Sequence, residues 1–139
     1  MNLPQKKAFC DTSFFFASLC PDDSNYKRAG ELIEYCRENN ITLYTTHDVI
    51  SETVTLLRYR ASYNTAVEFL DKIKPALVMV RYDDSVSTAA ETVFKKLSKD
   101  KKLSFCDAIS YIVIKHMLDN IPCFTFDRDF RSLGLIVYP

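Results

Sequence analysis

Apolar positions along the chain follow two periods. Short apolar and β-branched runs recur, and between them apolar residues are spaced three and four apart. Ala8-Phe9-Cys10 is the first run and ends at Asp11. Phe14 to Leu19 reads as a short buried helix, stopped before Pro21. Asp22 or Asp23 caps a second helix reaching about Glu38, with Ala29, Leu32, Ile33 and Cys36 as its apolar stripe. Ile41 to Thr45 alternates and predicts a second strand. Helical spacing returns from Thr46 to Arg60, and again from Ser62 to Lys74, where Pro75 closes it. Leu77 to Val80 predicts the third strand. Ser85 to Lys99 is an amphipathic helix, and Ser104 to Leu118 a strongly apolar one. Cys123 to Phe126 and Leu135 to Tyr138 predict the last two strands.

Strands separated by helices imply right-handed crossovers and a mainly parallel sheet covered on both faces. The expectation is an α/β fold: one domain over 1–139 with a central five-stranded sheet and helices on both sides. In such sheets, ligands sit beyond the carboxyl ends of the strands, where the strand order reverses.

Composition narrows the classes. A chain of 139 residues, 47% hydrophobic with only two glycines, supports one packed core rather than disorder. Eighteen basic residues balance eighteen acidic ones, so no global field draws the chain toward nucleic acid or anionic lipid. Any nucleic-acid chemistry must come from a local site. Five widely spaced cysteines without a Cys-x-x-Cys pair predict reduced thiols in a cytoplasmic protein, not a disulfide framework or zinc knuckle. The polar opening from Met1 to Lys7 and the shortness of the apolar runs predict no signal peptide and no membrane span.

The candidate chemistry lies in carboxylates. Asp11 follows the first strand directly, and Asp127 follows Phe124-Thr125-Phe126. An aspartate there also commonly caps the next helix. Glu52 stands in a helix beside Val49 and Leu56, at the border of the apolar stripe or on open surface. Asp107 sits in an almost wholly apolar helix, where a bare buried charge needs a partner. Ser104-x-x-Asp107 also has the form of a capping box, and the two roles are compatible. Four carboxylates converging at the strand ends repel one another, and a hard divalent cation relieves this. His47 and His116 have no metal-ligand spacing, and the two glycines form no phosphate loop. Arg58, Arg60, Lys95, Lys96, Arg128 and Arg131 are basic residues for a phosphate backbone or plain solvated faces, with Tyr59 a stacking surface beside two of them.

At these positions the sequence resembles the PIN domain family, particularly the VapC-like toxin ribonucleases. Phe9-Cys10-Asp11-Thr12-Ser13 resembles the opening aspartate strand, and Ile50 to Leu57 the central glutamate helix. Leu103 to Ile109 resembles the third acidic motif, and Phe124 to Phe130 with Gly134 the closing one. Position 126 departs from the pattern, being Phe where a small polar residue is frequent. The resemblance implies an endoribonuclease dependent on Mg²⁺ or Mn²⁺, with Asp11, Glu52, Asp107 and Asp127 as metal-binding and catalytic quartet. Thr12, Ser13 and Thr125 are its supporting hydroxyls, and Asp129 a supporting residue that caps the turn leading to Phe130. It further implies an RNA substrate, a small antitoxin protein that covers the site, and a homodimer. The competing expectation is a PIN-like scaffold that binds RNA or protein without catalysis.

Overall fold

The computed structural model describes Leu3 and residues 5–139, so part of the polar opening over 1–7 lies outside the described residues. β1 (Lys7–Cys10) is the central strand of a five-stranded sheet ordered β3-β2-β1-β4-β5. The others are β2 (Thr42–Thr46), β3 (Val78–Val80), β4 (Cys123–Phe124) and β5 (Val137–Tyr138), and every pairing is parallel. Ala8, Phe9 and Cys10 are fully buried, which explains why β1 reads as an unbroken apolar run.

Among the described residues, seven α-helices connect the strands: α1 (Thr12–Leu19), α2 (Tyr26–Glu38), α3 (His47–Arg60), α4 (Tyr63–Glu68), α5 (Asp84–Leu97), α6 (Phe105–Met117) and α7 (Arg128–Ser132). The chain steps from β1 outward to β3, then crosses back to β4 and β5. Right-handed crossovers therefore put α1 to α4 on one face and α5 to α7 on the other. Phe14 packs on Phe124 with ring centroids 5.4 Å apart, and Phe15 on Phe69 at 5.1 Å. These tilted aromatic pairs tie α1 to the sheet and to the segment after α4.

Several elements differ from the expectations. The second helix starts at Tyr26, not at Asp22 or Asp23, and Ile33 on it is 39% exposed rather than core. The helix expected over 62–74 is α4 followed by a π-helical turn (Phe69–Ile73) and a 3₁₀ turn (Lys74–Ala76) that takes in Pro75. β4 ends at Phe124 instead of Phe126, because the Phe126 and Asp127 amides are taken by side chains. α7 is one turn and a half, too short to leave a periodic signal. Among the described residues, no helix is long and apolar enough to cross a membrane. All five cysteines are free thiols.

Candidate active site

Register places the first carboxylate. Phe9 pairs with Cys123 and Cys10 with Phe124, so Asp11 and Thr125 leave the two central strands side by side. The Thr125 hydroxyl donates to Asp11 Oδ2 at 2.9 Å. Ser13 donates to the same oxygen through its hydroxyl at 3.0 Å and its amide at 3.4 Å. Asp11 is 3% exposed, and this burial pushes its carboxyl pKa up, opposed by the hydrogen bonds from Thr125 and Ser13. Ser13 is a junction. Its hydroxyl lies 3.0 Å from that of Thr125 and accepts from the Phe126 amide at 2.9 Å.

Thr12 faces the other way, and its hydroxyl donates to Glu52 Oε2 at 3.0 Å. Glu52 stands on the exposed side of α3, so of the two places open to it in the sequence it takes the surface rim. Cys106 lies beside Glu52, and burial followed by the Glu52 charge raises the Cys106 pKa.

Asp107 serves in both roles that the sequence left open. It completes a capping box on α6: its amide donates to Ser104 Oγ at 3.0 Å, and its Oδ2 accepts from the Ser104 amide at 3.0 Å. It is also 7% exposed, and its pKa is raised to about 7, by burial first and then by the Asp11 charge. Asp127 and Glu52 push in the same direction, so all four carboxylates share one electrostatic neighbourhood. Among the described residues, however, no three carboxylate, histidine or cysteine side chains form a ready-made metal cage.

The closing motif is built differently from its expected form. Asp127 lies beyond the strand as the N-cap of α7, accepting from the Asp129 amide at 2.9 Å. Asp129 therefore does not cap this turn; it supplies the capped amide from inside the helix. The Asp127 amide donates to Thr125 Oγ1 at 3.0 Å, which joins its backbone to the Asp11 network. The sequence reading missed Cys106, as well as Asn25 and Arg28, which border a cleft beside Asp127. No local pattern marks those residues; only the fold brings α2 next to α7.

An all-parallel sheet with acidic side chains gathered beyond its central strands, where the order reverses, defines a doubly wound α/β protein with its site at the switch point. A family model described as PIN domain matches residues 8–135. The chain belongs to the PIN domain family. It is 29% identical over 113 residues to the VapC ribonuclease of Archaeoglobus fulgidus, covering 79% of this chain and 71% of that one. Among solved structures, VapC20 of Mycobacterium tuberculosis, described as a Sarcin-Ricin loop cleaving toxin, superposes with a TM-score of 0.80 at 24% identity, covering 93% of this chain and 96% of that one. FitAcB from Neisseria gonorrhoeae has a TM-score of 0.65 at 12% identity, covering 95% and 96%. VapBC2 from Rickettsia felis, bound to a DNA fragment from its promoter, has 0.62 at 15%, covering 95% and 97%. The structural likenesses establish the shared fold.

Proposed function

We propose that this chain is a Mg²⁺- or Mn²⁺-dependent endoribonuclease, the toxin of a toxin–antitoxin pair. The observation that carries the reading is the shared neighbourhood of Asp11, Glu52, Asp107 and Asp127 at the switch point of a PIN domain. The ribonuclease named among its relatives supports the same activity.

The donor set fits a hard cation. It consists of carboxylate oxygens, the ligands Mg²⁺ and Mn²⁺ prefer, and an ion there would offset the cost of ionising Asp107 and Asp11. Asp11, Glu52, Asp107 and Asp127 would hold it. The chemistry supplied by a bound ion is polarisation of a phosphoryl oxygen and activation of water. The chain's own contribution is preorganisation. Thr125 and Ser13 hold Asp11 through Oδ2. Thr12 fixes Glu52, and the Ser104 amide fixes Asp107. Each carboxylate is thus oriented by a neighbour that carries no charge.

The partners in this reading are an RNA substrate, a small antitoxin protein covering the acidic edge, and a second copy of the chain. Tyr26 and Ile33, seven residues apart on α2 and 42% and 39% exposed, offer an apolar face for the homodimer. Five free thiols suit the reducing cytoplasm.

The test is incubation of purified protein with single-stranded and structured RNA in Mg²⁺, Mn²⁺ or EDTA. Cleavage that needs the metal and vanishes in Asp11→Asn is expected. Binding of RNA without cleavage in any metal would establish the scaffold instead.

A further inference from the structure

A second feature adjoins the acidic site. A cleft of about 530 Å³ opens between the start of α2 and α7, and Asn25, Arg28, Thr125, Asp127, Arg128 and Arg131 border it. Arg28 comes from the first turn of α2, while Arg128 and Arg131 lie three apart on α7 and so share a face. All three side chains are exposed. Among the described residues, the ion pairs are Arg37–Glu34 and Lys72–Glu68, so none of the three is neutralised by a carboxylate within salt-bridge distance. Arg131 is held in place by donating to the Pro139 carbonyl at 2.9 Å, which leaves its other donors free. In a chain of zero net charge, three guanidinium groups around one cleft, none in an ion pair with Asp or Glu, are a local concentration of positive charge.

We propose that this arginine cleft binds the backbone phosphate next to the scissile one in a single-stranded RNA substrate. The inference rests on the nuclease reading above. The cleft shares Thr125 and Asp127 with the acidic site, so a molecule seated in it continues directly onto the carboxylates. A phosphodiester strand carries a charge at every unit. A phosphate of that strand seated in the cleft lies beside Asp127, which repels it. Guanidinium groups at that place offset the repulsion and offer the paired donors that phosphate oxygens accept. An acidic peptide fits the arginines as well, but nothing in it needs to continue onto four carboxylates.

The experiment is fluorescence anisotropy of a labelled single-stranded oligoribonucleotide in EDTA, so that no cleavage occurs, over a range of salt. Arg28→Ala is expected to weaken binding about fivefold or more, and to lower the salt slope by about 0.7, the value for one lost phosphate contact on a single strand. Arg28→Lys should keep the slope, since the charge remains. Arg37→Ala, on the same helix but outside the cleft, should match the unaltered protein in affinity and slope. Unaltered affinity and slope in Arg28→Ala, with metal-dependent cleavage intact in the parent, would overturn the phosphate site and leave the nuclease reading standing. Poly-glutamate binding that depends on Arg28 while RNA binding does not would assign the cleft to an acidic protein. A parent protein that neither binds nor cleaves RNA would overturn both readings.

Discussion

The hydroxyl of Thr125 donates to Asp11 Oδ2 at 2.9 Å across 114 positions of sequence, and the same Thr125 oxygen accepts the Asp127 amide. One side chain thereby fixes the first carboxylate of the quartet and the backbone of the last. Thr125→Val keeps the shape and removes both bonds. It should lower stability by about 1–3 kcal/mol, the cost of leaving a buried polar partner unmet. Metal-dependent cleavage should fall in the same variant. Urea unfolding and a cleavage assay on the folded protein check the two effects separately.

Asp127 and Asp129 separate in a way the closing motif alone does not reveal. Asp127 caps α7, and asparagine caps nearly as well as aspartate. Asp127→Asn should therefore melt near the parent temperature but lose cleavage at least about tenfold, roughly 1.4 kcal/mol of barrier. Asp129→Asn should change neither by much. An inactive Asp129→Asn beside an active Asp127→Asn would reverse the assignment.

Asp107 sets a pH dependence in metal-free buffer. Its carboxyl pKa rises from the ordinary 3.8 to about 7 in the folded state, so the folded protein holds this proton more tightly than the unfolded chain. Its contribution to stability is full below pH 4 and is lost as pH rises through about 7, a change of at most about 4 kcal/mol. Asp11 shifts in the same direction. Denaturant unfolding at pH 5 and pH 8 should show a decline for the parent and a shallower one for Asp107→Asn. A stability that climbs over that range would refute the buried, crowded carboxyl.

Divalent metal should reverse that decline. An ion that binds only the folded state stabilises it by linkage, about 2.7 kcal/mol at a hundredfold excess over Kd. Mg²⁺ or Mn²⁺ is expected to raise Tm, and to raise it less in Asp11→Asn. An equal rise in that variant would place the metal elsewhere.

Much of this architecture was legible from periodicity. β1, α3 and α6 have long or wholly apolar patterns, and each lies within two residues of its expected span. Asp107 was readable both as a cap and as a buried acid, because its capping box is local and its helix is apolar. The closing segment was not readable in the same way. Thr125-Phe126 continues the alternation of a strand, yet the Phe126 and Asp127 amides bond to hydroxyls of Ser13 and Thr125. Ser13 lies 113 residues away from Phe126, beyond any local pattern. The cap consequently fell to Asp127 rather than Asp129. Arg28 was invisible for a similar reason: its meaning depends on α7, which is too short to announce itself.

The strand order also governs timing. β1 is made first, but its neighbour β4 and the residues Thr125 and Asp127 come from the far end of the chain. During synthesis, at about 5–20 residues per second, Asp11 waits several seconds for the hydroxyl that orients it. The site therefore closes late, when almost all of the domain has left the ribosome. If the chain is the nuclease proposed above, a growing polypeptide has no assembled site for RNA until α7 emerges.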